Sequence, residues 1–126
     1  MTYFEILLAI MIGGIWFWSQ SSAKLIQLIM QNNVAVLPLW VFEKEFYTSF
    51  SIINFVLLIL QFGLPISIFF ILSITTSLIV LFVAFLISIG LTMIFQIITK
   101  GNPMLNYYLG AISSVIFIFL LLVNFN

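Results

Sequence analysis

From Phe46 to Thr99 the chain runs for 54 residues without an acidic or basic side chain, and no other feature restricts the possible folds as tightly. A helix needs about 20 predominantly apolar residues to cross the hydrocarbon of a bilayer. The run is therefore too long for one crossing and suits two crossings joined by a tight turn. A soluble domain carries charge on about 25–35% of its surface, whereas 5% of this chain is charged and 65% is hydrophobic. Water is not its main solvent.

The turn inside the run can be placed in two ways. The cluster Ser73, Thr75, Thr76 and Ser77 divides the run into pieces of similar length, whereas a turn at Gly63 to Pro65 leaves one apolar helix of more than thirty residues. Matching the bilayer favours 73–77. Gly63 and Pro65 then fall inside a helix, where proline removes one ladder hydrogen bond and frees the carbonyl four residues earlier, that of Gln61. A kink is expected there.

Two further crossings flank the run. The first is apolar from Tyr3 to Trp18, and Thr2 with Glu5 three residues on forms a capping box that starts a helix at once. Uncharged Ser19, Gln20, Ser21 and Ser22 allow this helix to continue to residue 31, with Lys24, Gln27 and Gln31 on one face, either in the interface or against neighbouring helices. Asn32 and Asn33 read as its end. Val34 to Phe42 contains Pro38 and is too short to cross, so it reads as a partly buried loop. Glu43, Lys44 and Glu45 then mark the exit from the hydrocarbon. At the other end, Thr99, Lys100, Gly101, Asn102 and Pro103 have the punctuation of a helix end followed by a turn. The expected architecture is a single all-α transmembrane domain over residues 1–126, a bundle of four helices near 3–18 (extending to 31), 46–72, 78–98 and 105–123, with an interfacial helix or loop between the first two. No basic n-region or small-residue cleavage site accompanies the first segment, so it reads as a retained helix rather than a removable signal.

With four crossings, Lys24, Lys44 and Lys100 share one side of the membrane. The positive-inside rule assigns that side to the cytoplasm or its organellar equivalent and puts both termini on the opposite, non-cytoplasmic face. Trp16, Trp18, Trp40, Tyr47, Tyr107 and Tyr108 fall towards the lysine side, as interfacial aromatic residues do. Fifteen Phe and no Arg fit an AT-rich coding sequence, hence a bacterial or organelle inner membrane.

Several function classes lose their footing. A nucleic-acid partner demands a cluster of basic contacts, and three scattered lysines supply none. The chain has no Cys or His, and no nucleotide-binding or hydrolase motif, so no cofactor or metal is expected. Proton-coupled carriers and haem anchors place ionisable or ligating groups deep in the membrane. Only Glu5 comes near a helix core, and it lies within one turn of the interface, where capping is its simplest role. Glu43 and Glu45 beside Lys44 read as a solvated or partner-facing loop rather than an acid/base pair.

Two polar stripes remain. Ser51, Asn54 and Gln61 share one helical face, and Ala84, Ser88, Thr92 and Gln96 follow one another at i+4 steps. Small and amide residues on such stripes let membrane helices approach and hydrogen-bond; so do the pairs Ala9 with Gly13 and Gly110 with Ser114. The same residues could instead line a narrow polar path. The leading expectation is a non-catalytic membrane subunit that packs against other membrane protein subunits and lipids. The alternative is a small homo-oligomeric channel or transporter with Asn54, Gln61, Ser88, Thr92 and Gln96 along its path and a kink at Gly63 and Pro65.

Overall fold

In the computed structural model, residues 3–31 and 43–125 are described, and they form four helices: α1 Tyr3–Met30, α2 Lys44–Ile71, α3 Ile74–Thr99 and α4 Pro103–Phe125. All four are long and apolar enough to cross a membrane. The protein is an all-α four-helix bundle and a membrane protein.

The turn within the uncharged run lies at Leu72 and Ser73, a few residues earlier than the 73–77 cluster suggested. Thr75, Thr76 and Ser77 are helical because Ser73 serves as the N-cap of α3: its hydroxyl oxygen accepts the Thr76 N–H at 3.3 Å. Such a cap satisfies one of the orphan donors of a first turn. The buried Ser77 hydroxyl donates to the Ile68 carbonyl at 3.3 Å, and the Leu72 N–H reaches the same carbonyl at 2.8 Å. A polar cluster that resembles a loop is therefore a cap together with a clasp across the turn.

The second turn matches its sequence signals closely. Lys100 and Gly101 adopt left-handed φ angles of 55° and 78°, the conformation that ends helices and that glycine takes without strain. The Gly101 N–H bonds back to the Gln96 carbonyl at 3.1 Å. Asn102 then caps α4, its side-chain oxygen accepting from the N–H groups of Met104 and Leu105 at 3.0 and 3.2 Å. Pro103 occupies the first helical position, where its missing N–H costs nothing. A buried contact between the Thr99 hydroxyl and Asn106 Oδ1 at 2.7 Å ties the two helices beside the turn.

The extension of the first segment past Ser22 is one continuous helix packed in the bundle rather than an interfacial element. Leu25 and Ile29 are buried with Phe50, Met104 and Tyr107, while Lys24 and Gln27 stay exposed. At 1.5 Å per residue, the 28 residues of α1 span about 42 Å, close to the full thickness of a bilayer with its headgroups. The expected loop over 34–42, its Trp40 and the Thr2 side of the capping box lie outside the described residues.

Helix α1 is the hub. It packs against each of the other three, which touch one another little. Two thirds of its most apolar window is buried, against 11%, 17% and 22% for the corresponding windows of α2, α3 and α4. Close approach comes from small residues. A Cβ on Gly13 would stand 2.8 Å from the Ala84 carbonyl oxygen of α3, and one on Gly110 would stand 3.0 Å from the Trp18 backbone. Both small-residue pairs therefore serve contacts within this chain, with Ala9 and Ser114 fully buried beside them.

Candidate functional site

Two polar constellations stand against α1, on different faces of it. The first centres on Gln61 of α2. Pro65 has no N–H to offer the Gln61 carbonyl, which would otherwise accept from it. That carbonyl accepts from the Trp16 indole N–H instead, at 3.1 Å. The Gln61 side-chain oxygen accepts from the Ser19 hydroxyl at 2.7 Å. One glutamine thus joins α1 to α2 through its backbone and its side chain together. Helix α2 continues unbroken through Gly63 and Pro65, and the Ser67 hydroxyl donates to the Gly63 carbonyl at 2.8 Å.

This use of Trp16 changes how the aromatic residues read. Trp16 lies fourteen residues from the Met30 end of α1, about 21 Å along the axis, which is mid-helix rather than interfacial. Trp18 packs edge-on against Tyr107 at 6.3 Å between ring centroids, and Tyr107 is in turn edge-on to Phe50 at 5.4 Å. Trp16, Trp18 and Tyr107 are therefore struts between helices, and of the set Tyr47 and Tyr108 remain partly or largely exposed.

The second constellation is a cleft of ≈ 130 Å³ at the α1–α3 boundary, lined by Phe17, Gln20, Ser21, Lys24, Thr92 and Gln96. The α3 stripe changes character along its length. Ala84 and Ser88 are buried against the bundle, whereas Thr92 is half-buried and Gln96 exposed in the cleft. Phe17, buried and tilted against Phe95 with centroids 5.1 Å apart, closes the apolar side. The Thr92 hydroxyl donates to the Ser88 carbonyl at 2.8 Å, so its oxygen is left as an acceptor.

The sequence-derived stripes are thus not brought together. At 100° per residue, Trp16 and Ser19 lie on one side of α1 and Phe17 and Lys24 on another, so Gln61 and the Thr92–Gln96 pair address different faces of the hub. Asn54 is half-buried, and its Oδ1 is buried without a hydrogen-bond partner among the described residues, as are Ser22 Oγ and Ser114 Oγ. The α1 side of the cleft has a sequence signal of its own: Phe17, Gln20, Ser21 and Lys24 follow the i, i+3, i+4, i+7 spacing of a single helical face, whereas its α3 partner is set by packing.

Comparison of the chain with protein-family models, with curated proteins and with solved structures returns no match. The class of protein is set by the fold alone: an integral membrane bundle in which three helices are arranged around the first.

Proposed function

We propose that this chain is a non-catalytic subunit of a larger membrane protein complex, contributing structure, assembly or lipid contacts. The observation that carries this reading is the arrangement of the outer helices. Each is held by α1, each touches its outer neighbours little, and each turns a broad apolar face outward, with Phe55 64%, Phe62 65% and Phe70 87% exposed on α2 alone. Outer faces of this kind can pack against neighbouring helices or lipid. Between Phe46 and Thr99 the sequence has no Asp, Glu, Lys, Arg or His for proton or ion chemistry, which agrees with a packing role.

In this reading the lysine-bearing end faces the cytoplasm or its organellar equivalent and both termini face away from it. Lys24 in α1, Lys100 at the C-cap of α3, Glu43 at the N-cap of α2 and Glu45 in its first turn lie at one end of the bundle, and Glu5 lies at the other. Purification in a mild detergent tests the proposal. Stoichiometric co-purifying membrane proteins are expected, and recovery of this chain alone would overturn it.

One observation favours the channel or transporter reading, namely the buried Oδ1 of Asn54, which has no hydrogen-bond partner among the described residues. Flux through liposomes containing only this protein, abolished by Asn54→Leu, would establish that alternative. Absence of flux with the wild-type chain removes it.

A further inference from the structure

We propose that the cleft between α1 and α3 binds the phosphate of an anionic phospholipid whose headgroup carries a hydroxyl, with Lys24 as the counter-ion. The site requires only that the chain cross a bilayer, so it stands or falls separately from the complex-subunit reading.

Charge comes first. Among the described residues, Lys24 is the one ionisable group lining the cleft. The antiparallel α1–α2 register set by Gln61 opposite Trp16 and Ser19 puts Lys24 level with about residue 55 of α2. Glu45 then lies about ten residues further along, roughly 15 Å away in height. Glu5 is at the far end of the same helix. Glu43, the N-cap of α2, lies further out still, so among the described residues no carboxylate stands at the height of Lys24, and the cation is left to a charge from outside the helices.

Depth agrees. Lys24 is six residues, about 9 Å, short of the Met30 end of a helix about 42 Å long. In a bilayer of about 40–45 Å with a hydrocarbon core of about 30 Å, that height is the boundary between headgroups and acyl chains, where the phosphate of a lipid sits. A lysine stem readily adjusts to hold its ammonium there.

The rest of the lining matches a phosphodiester. Gln20, Gln96 and Ser21 can donate to phosphate oxygens beside the ammonium, and hydrogen bonds with one charged partner are the strong ones. Thr92, whose proton is already committed to Ser88, presents an acceptor to a headgroup hydroxyl. The opening of ≈ 130 Å³ equals the share of about four waters, enough for a phosphate group but not for a whole lipid. The acyl chains have a place to go: Ile89 and Phe85, three and seven residues before Thr92 on the same side of α3, are 41% and 54% exposed.

The test uses the full-length protein in neutral detergent micelles, following its thermal unfolding as dioleoyl-phosphatidylglycerol, dioleoyl-phosphatidylcholine or inorganic phosphate is added. Phosphatidylglycerol is expected to raise Tm saturably, with the other two having little effect. Lys24→Gln should raise the half-saturating concentration about tenfold or more, as loss of a hydrogen bond to a charged group does. Gln96→Leu should raise it several-fold, whereas Lys24→Arg and Lys100→Gln should leave it close to wild type. An unchanged response in Lys24→Gln, or an equal loss in Lys100→Gln, would overturn the proposal. Stabilisation by inorganic phosphate alone would overturn it in favour of a free-anion site, and an equal response to phosphatidylcholine would show a general lipid effect instead.

Discussion

Replacing Trp16 by phenylalanine removes the indole N–H that satisfies the Gln61 carbonyl and keeps an aromatic ring in the same contact. Interhelical hydrogen bonds in membranes contribute about 0.6 kcal/mol on average and up to about 1.7 kcal/mol. The upper part of that range applies here, because Pro65 leaves the carbonyl with no ladder donor and a stranded buried acceptor costs about 1–3 kcal/mol. Trp16→Phe should therefore destabilise the bundle by about 1–2 kcal/mol. In a Pro65→Ala background a backbone N–H returns at position 65 and can close the ladder onto Gln61. The same substitution should then cost about 1 kcal/mol less, since only the change in ring size remains. Ring size affects both backgrounds alike and cancels in the double-mutant cycle. Reversible unfolding in bicelles, followed by steric trapping or circular dichroism, measures all four proteins. A coupling energy within about 0.3 kcal/mol of zero, the range expected for independent sites, would refute the claim that the indole replaces the ladder bond lost at proline.

Three further outcomes follow from particular contacts. Gly13→Ala should destabilise by about 1–3 kcal/mol, the cost of overpacking, because its Cβ would meet the Ala84 backbone oxygen at 2.8 Å. Gly63→Ala has open space around it and should be neutral or stabilising by up to about 1 kcal/mol; thermal unfolding of the two side by side checks both. Ser73→Ala should cost about 1 kcal/mol through loss of the α3 cap, while Thr75→Ala, at an exposed position in the first turn, should change Tm little. For orientation, a C-terminal reporter active only outside the cytoplasm should be active, and activity from a cytoplasm-only reporter at that position would reverse the assigned topology.

Much of the architecture was written in the pattern of charges. Six charged side chains in 126 residues leave apolar stretches whose lengths match a bilayer, so membrane insertion and the number of helices follow from burial of apolar surface and the need to satisfy backbone groups within each segment. Local chemistry was equally legible at the second turn, where Gly101, Asn102 and Pro103 each take the one position their backbone suits. The Ser73–Ser77 turn was legible only in part, since hydroxyl residues serve loops, caps and helix-to-helix clasps alike, and which of these a serine performs depends on what it reaches.

What only the tertiary structure decided is which helix sits at the centre and what each polar residue meets there. The first segment is the least uniformly apolar of the four, with Ser19, Gln20, Ser21, Ser22 and Lys24 in its second half. Periodicity alone could send those residues to the interface or to neighbouring helices. In the bundle they are divided by direction: Ser19 to Gln61, Ser22 to the buried interior, and Gln20, Ser21 and Lys24 to the cleft shared with Thr92 and Gln96. Sequence spacing states which residues share a face of a helix. The partner of that face is set by packing against residues far away in the chain, and here Gly13, Gly14 and Gly110 bring α3 and α4 close against α1. The uncharged run determined that α2 and α3 form a membrane hairpin; close packing around α1 determined that the two stripes on that hairpin meet different sides of the hub.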